Sequence, residues 1–322
     1  MNSRAFPLVL AFTVLLPSTL VARAQAADKI WRLGVLSPID SPLMSTTLAE
    51  LAARGFVEGR NLVVDIRVGT AERMPELARE LVSTRPDIIM AVSDWAVDAA
   101  REATRSIPIV AAPMGRDPVA AGVAESWSRP GGNVTGVTLT APELEGKRLD
   151  LLREVVPAAR RIATLSMHRE VTEPAAAPTR AVAARLGIQL VELYVDGPDE
   201  YRGAFAAMRS AGAEAVVIVP VPEFIGHAER LAALAAEAGL PTVCGSRRAA
   251  EHGCLIGYGP DPVELHRQAA EDLARIFRGA SPAELPIQGP THFDFVVNLK
   301  TAKALGLKIP PSILGSADEV IE

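Results

Sequence analysis

Catalysis by side chains needs a nucleophile, a base and a group that orients the base, and this chain shows none of the spacings that announce such a set. It has no G-x-S-x-G elbow, no G-x-x-x-x-G-K-[ST] phosphate loop, and no G-x-G-x-x-G after its first apolar strand. The five histidines (His168, His227, His252, His266 and His292) form no H-x-x-x-H pair. Most fall in polar turns or on helix flanks, where a solvated imidazole is expected; His168 alone directly follows an apolar run. Cys244 and Cys254 stand ten residues apart with no histidine at ligand spacing, so zinc is discarded. An oxidising compartment would permit a bridge between them, and two small buried thiols fit equally well. Neither a metal nor a cofactor is expected.

The polar residues that could do chemistry share a different property: they follow apolar runs. Ser37 ends the first run, Ser93-Asp94-Trp95 the third, and Met114 to Asp117 the fourth. Thr138 and Thr140 end the run after a Gly-Gly turn. Further along the same place is held by His168-Arg169-Glu170, Val221-Pro222-Glu223, Gly245-Ser246-Arg247 and Tyr258-Gly259-Pro260. Singly, each has a plain structural reading: Ser93 and Asp117 as helix caps, Glu223 as a helix-start carboxylate, Arg247 as a solvated charge. Together they describe a binding cleft. Backbone N–H groups at helix starts hold an anionic group such as a carboxylate. Asp94 or Asp117 could take an ammonium, and Trp95 or Tyr258 could cover an apolar body. That chemistry suits a small polar or zwitterionic solute.

These tips must be positioned by the elements between them. Strands are expected at 30–37, 61–68, 87–92, 107–112 and 134–139, alternating with helices at 43–54, 74–84 and 94–105. Asp117-Pro118 reads as the N-cap and first residue of a further helix. A second series follows: helix 144–155 with Lys147, Arg148 and Arg153 on its wet side, then strand 161–167, helix 175–186 and strand 189–195. It continues with helix 199–211, strand 215–220, one helix over 224–238, and short strands at 242–245 and 254–258. The tail adds helix 262–277, a Pro-containing connector, strand 293–298 and helix 299–305. Two such series predict an α/β fold of two doubly wound lobes with parallel sheets joined by a hinge. The lobes are expected at 27–140 plus about 260–285, and at 141–259 plus about 286–322.

Residues 1–26 have the pattern of a signal peptide: Arg4, the apolar run 8–16, and small-x-small pairs around Ala24 and Ala26. No cysteine follows that run, so no lipid anchor is expected, and the mature chain is expected in the periplasm. A leader carrying Arg4 and Arg23 takes two of the 33 basic residues and deepens the net charge from −5 to −7. With no dense basic cluster, nucleic acid is an unsuitable partner. The chain is expected to act as a monomer.

The segments GFVEGRNLVVDIRVGTAERMPELARELV, RPDIIMAVSD, SIPIVAAPMGRDPVAAGVAESWSRPGGNVTGVT and ELEGKRLDLLREVVP resemble the ABC-transporter substrate-binding proteins of the tryptophan/tyrosine-binding type. So do LPTVCGSRRAAEHGCLIGYGPD and FDFVVNLKTAKALGLKIPPSIL. The resemblance implies the type I periplasmic-binding fold, a solute held between two lobes, and a membrane ABC permease as partner. The family's D-P after the fourth strand is matched by Asp117-Pro118, its P-G-G-N-V-T-G turn by Pro130–Gly136, and its Y-G by Tyr258-Gly259. Three tips depart: Ser93-Asp94-Trp95 in place of a Thr-Pro-Ala type, Met167-His168-Arg169 in place of a Tyr/Trp-Asn type, and Cys244 where an aromatic is common. All three lie where a ligand side chain would be read, so the resemblance does not carry an aromatic ligand over. A ligand-sensing receptor module, or an enzyme with His168 as base, are the other uses of the same cleft.

Overall fold

The computed structural model describes residues 29–41, 43–140, 142–167 and 176–322. Its first lobe runs β1 (Trp31–Ser37), α1 (Met44–Ala53), β2 (Leu62–Val68), α2 (Met74–Ser83), β3 (Ile88–Ala91), α3 (Asp94–Ala103), β4 (Ile109–Met114) and β5 (Val134–Thr138). The strands pair in parallel in the order β2-β1-β3-β4-β5. Every residue of β3 and β4 is buried, which is why they read as unbroken apolar runs rather than alternating ones. Gly136, at φ +123°, lets β5 lie against β4, for a side-chain carbon there would stand 2.2 Å from the Ala111 carbonyl oxygen.

No helix follows Asp117-Pro118. Asp117 Oδ1 accepts the N–H groups of Val119 and Ala120 at 2.8 and 2.9 Å, closing a single turn that Gly122 ends at φ +65°. Four residues cannot carry the cost of nucleating a helix, and Pro130, Gly131 and Gly132 then lead the chain into β5.

The second lobe runs α4 (Pro142–Val155), β6 (Arg161–Met167), α5 (Ala177–Leu186), β7 (Gln189–Val195), α6 (Tyr201–Ser210), β8 (Ala215–Ile218), α7 (Pro222–Gly226), α8 (Ala228–Ala238), β9 (Thr242–Cys244), α9 (Arg247–Glu251) and β10 (Ile256–Pro260). The helix expected over 224–238 is therefore two, broken at His227, whose φ of −102° and ψ of 21° leave the helical region. Arg148 is not on the wet side of α4: it is 1 % exposed, and its Nε donates to the Tyr258 carbonyl at 2.9 Å. An arginine beside the crossing between lobes finds a buried carbonyl that a sequence pattern cannot display. Cys244 and Cys254 are bridged, with Cα atoms 6.4 Å apart, inside the usual span of a disulfide.

The tail serves both lobes. In α10 (Pro262–Phe277), Asp261 caps the start by accepting the Val263 N–H at 2.8 Å, and Pro262 occupies the first turn. Its stripe Leu265, Ala269, Leu273 and Phe277 packs with Leu33, Val35, Met90 and Val110 of the first lobe. The chain then returns as β11 (Phe293–Asn298), antiparallel to β10, followed by α11 (Leu299–Ala304), α12 (Pro311–Ser316) and β12 (Glu319–Ile321), which pairs with β11. The second sheet is β12-β11-β10-β9-β8-β6-β7. The polypeptide thus passes between the sheets three times, near 139–142, 260–262 and 288–293. No helix among the described residues is long and apolar enough to cross a membrane.

Candidate functional site

In both sheets the first five parallel strands have the same order, 2-1-3-4-5, with crossovers leaving the first strand in opposite directions. The crevice this opens lies at the carboxyl ends of the first and third strands. In lobe one those ends carry Ser37 and Ser93-Asp94; in lobe two, the β8 end carries Val221 to Glu223. The β6 end leads to His168, which lies outside the described residues, as do Arg169 and Glu170.

Ser93 is the strained point of the site. Its φ of 81° and ψ of 164° belong to a region that non-glycine residues avoid. Its N–H is satisfied by the Pro113 carbonyl at 3.0 Å, yet Oγ is buried with no hydrogen-bond partner. Asp94, the first residue of α3, accepts the Gly115 N–H at 3.1 Å on Oδ1 and lies 3.4 Å from Arg116 Nε. Arg116 also pairs closely with Asp98. Burial raises the Asp94 pKa from 3.8 to about 6 despite the guanidinium.

Lobe two meets this group directly. A side-chain carbon on Gly115 would stand 3.1 Å from Asp94 Oδ2 and 3.4 Å from Val221 Cγ1. Ile225 packs within the lobe-one core, and Gly226 backs onto Ile39. Glu223, 7 % exposed, is raised from 4.5 to about 7, first by burial and then by the charge of Asp94. Ser93 Oγ lies near enough to soften that shift without making a well-formed hydrogen bond. Ser93, Asp94 and Glu223 therefore come together, from opposite lobes.

The other expected residues divide. Ser37 shapes its tip, donating to the Ile39 carbonyl at 2.7 Å, and Trp95 packs half-buried against the lobe-one core. Met114 is wholly core. Thr138 Oγ1 lies 3.2 and 3.1 Å from the carbonyls of Met114 and Arg116, and Thr140 donates to the Gly115 carbonyl, so both brace the loop beside Asp94. Asp117 is engaged in its turn, and Ser246 caps α9 by accepting the Ala249 N–H. Arg247 pairs with Glu251, Asp294 and Glu319 on the wall of an interlobe cavity of about 240 Å³. Tyr258 lies away from that cavity. Its ring meets Phe295 edge-on at 5.5 Å and lines a separate hollow with Lys147 and Ile313.

Sequence reasoning missed the apolar walls of the interlobe cavity, among them Ile39, Val92, Pro113 and Ile225. It also missed His266, which is 1 % exposed rather than solvated, with Nδ1 2.9 Å from Thr47 Oγ1 and its pKa pushed down to about 4 by burial. Its place beside Leu265, on the stripe with Ala269, was the available signal. His227 is likewise half-buried, 3.0 Å from the Tyr201 hydroxyl. Among the described residues no three His, Cys, Asp or Glu side chains gather as a metal site.

The profile of the family described as ABC transporter substrate binding protein matches residues 39–321, and the chain belongs to that family. A tyrosine-binding protein of Clostridioides difficile (strain R20291) is 27 % identical over 264 residues, covering 80 % of this chain and 74 % of that protein. The structure of an ABC domain in complex with L-Trp from Streptococcus pneumonia superposes with a TM-score of 0.81 at 21 % identity, covering 90 % of this chain and 99 % of that one. A conserved domain protein from Vibrio cholerae O1 biovar El Tor superposes with a TM-score of 0.82 at 26 % identity, covering 91 % and 100 %. The fold is the two-lobed type I periplasmic-binding fold.

Proposed function

We propose that this chain is the exported solute-binding component of an ABC importer, capturing a small polar or zwitterionic solute (an amino acid or related carboxylate) between its lobes and delivering it to a membrane permease. The observation that carries the reading is the meeting of two polar tips at the crevices of both sheets: Ser93 and Asp94 from one lobe, Glu223 from the other. Closure of two lobes over a solute removes it from water and presents a changed surface to a partner. The Trp and Tyr named for the relatives make aromatic amino acids the first probes, and the departing tip at Ser93-Asp94-Trp95 argues for a wider panel. A thermal-shift screen of the mature chain against amino acids, small carboxylates and aromatic acids tests this. A solute of this class is expected to raise the melting temperature in a dose-dependent way, by mass action on the folded state. A panel with no stabilising member would count against the reading, and consumption of a bound compound would move it to catalysis.

A further inference from the structure

We infer that β2 is a self-pairing edge, through which two copies of this chain join into a dimer with one continuous sheet across their first lobes. This goes beyond the solute-binding reading and does not depend on it. β2 ends the lobe-one sheet, and no strand among the described residues lies beyond it. Its side chains are open to water: Val63, Ile66 and Val68 are 46, 46 and 43 % exposed. Proteins commonly keep an edge strand from pairing with other chains by making it short or guarding it with charge. This one is seven residues long and shows apolar groups on both faces, Val63 on one and Ile66 and Val68 on the other.

The backbone along that edge is free in a definite pattern. The Asn61 carbonyl accepts the Trp31 N–H at 2.8 Å, and the Gly69 N–H donates to the Ser37 carbonyl at 3.2 Å, so the odd-numbered residues face β1. Leu62 faces the other way, donating to the Val57 carbonyl and accepting the Gly59 N–H, each at 3.1 Å. Alternation along the strand therefore turns the N–H and C=O of Val64, Ile66 and Val68 to the open side. An antiparallel partner would exchange hydrogen bonds with those three residues.

The sequence selects the partner. Val64-Asp65-Ile66-Arg67-Val68 reads apolar, acid, apolar, base, apolar, and from the other end it reads the same with the charges exchanged. A two-fold axis through Ile66 sets Ile66 against its own copy, Val64 against Val68, and Asp65 against Arg67. The apolar pairs fall on the outward-facing residues, which exchange backbone bonds. The two Asp65–Arg67 pairs fall between them, where opposed residues approach most closely, at about 4.5 Å between Cα atoms. Within one chain Arg67 already meets Asp65 closely and lies 3.8 Å from Glu80, yet Arg67 and Asp65 remain 30 and 28 % exposed. Pairing adds the second copy's Asp65 and makes a row of alternating charges across the axis. Guard charges of one sign hold copies apart, whereas these meet with opposite sign. An in-register parallel arrangement would instead set acid beside acid and base beside base. The closed two-fold dimer is thus the form this edge fits. Because the edge belongs to lobe one alone, lobe two of each copy stays free to swing.

Sedimentation velocity on the mature chain from about 1 to 500 µM tests this, with circular dichroism as the check on folding. The wild type is expected to pass from the mass of one chain to that of two as concentration rises. Arg67→Glu sets acid against acid twice across the axis and is expected to weaken the dimer about tenfold or more. Adding Asp65→Arg to that variant restores opposite signs across the axis and is expected to return the dissociation constant to within about threefold of the wild type. Should Arg67→Glu not fold, Ile66→Lys, which brings two ammonium groups together on the axis, serves as the disrupting variant. Hydrogen exchange gives the place: the amides of Val64, Ile66 and Val68 are expected to slow as concentration rises. A mass of one chain at every concentration overturns the proposal and leaves the monomer expected from the sequence. A dimer indifferent to charge reversal, a double variant that stays apart, or protection confined to another surface overturns this edge as the interface.

Discussion

Ser93 shows how much a single backbone conformation can say about a site. A φ of 81° at a serine costs about 1–3 kcal/mol, and the protein keeps it beside an unpartnered hydroxyl. Ser93→Gly removes both at once. Denaturant unfolding should find that variant more stable by about 1–2 kcal/mol, and calorimetry should find the solute bound more weakly. A loss of stability would mean that the strain is compensated locally and has no bearing on binding. Asp117 behaves differently, since one of its oxygens already serves two N–H groups of its own turn. Asp117→Ala should cost about 1 kcal/mol, as lost caps do, and should reduce solute affinity far less than Glu223→Gln. The sequence placed Ser93, Asp94, Asp117 and Glu223 at strand ends alike. Only three-dimensional structure separates the cap from the residues that meet.

At the scale of elements, α10 carries a buried acid that the apolar stripe does not require. Asp272 is fully buried, Oδ1 has no hydrogen bond, and Gln288 reaches Oδ2 only at 3.4 Å. Burial raises its pKa from 3.8 to about 6, so its contribution to stability is whole below 3.8 and is lost as pH rises through 6. Asp272→Asn should therefore be more stable than the wild type at pH 8, on the order of 2 kcal/mol, and equal to it near pH 4. A difference that does not vary with pH would place the effect in packing instead. Opening the Cys244–Cys254 bridge by a Cys→Ser pair should cost about 2–3 kcal/mol, the value for a short closed loop. The alternating elements were legible in the sequence because apolar runs and capping residues are local signals. The break at His227 and the short β12 were not, for each meets contacts distant in the chain: Gly226 against Ile39, and Glu319 beside Val296. Arg148 was misread for the same reason, whereas His266 sat on an apolar stripe that the sequence displays.

For the whole molecule, the lobes touch through small residues, and that contact can be obstructed without disturbing either core. A side chain at Gly226 would begin 2.8 Å from the end of Ile39. Gly226→Leu should leave the melting temperature of the ligand-free protein nearly unchanged. It should lower solute affinity about tenfold, because overpacking of about 1–3 kcal/mol would fall on the closed form alone. Unchanged affinity, read by titration calorimetry, would show that the solute is held without this contact. The two alternating strand–helix series made the two-lobed plan legible from the start, while the solute stayed out of reach because the tips that would read it are those that depart from the family's pattern.

The three passages of the chain between the sheets have a further consequence. A single tether would let one lobe wander around the other, and each capture would have to gather two halves of a site from a large volume. Three nearly adjacent strands restrict that search to a narrow swing. A solute resting on one lobe meets the other as an intramolecular neighbour, at a high effective concentration. Much of the entropy of assembling a two-sided site is thus settled when the polypeptide folds, before any solute arrives, and the few polar groups at the tips are left to supply selectivity rather than encounter.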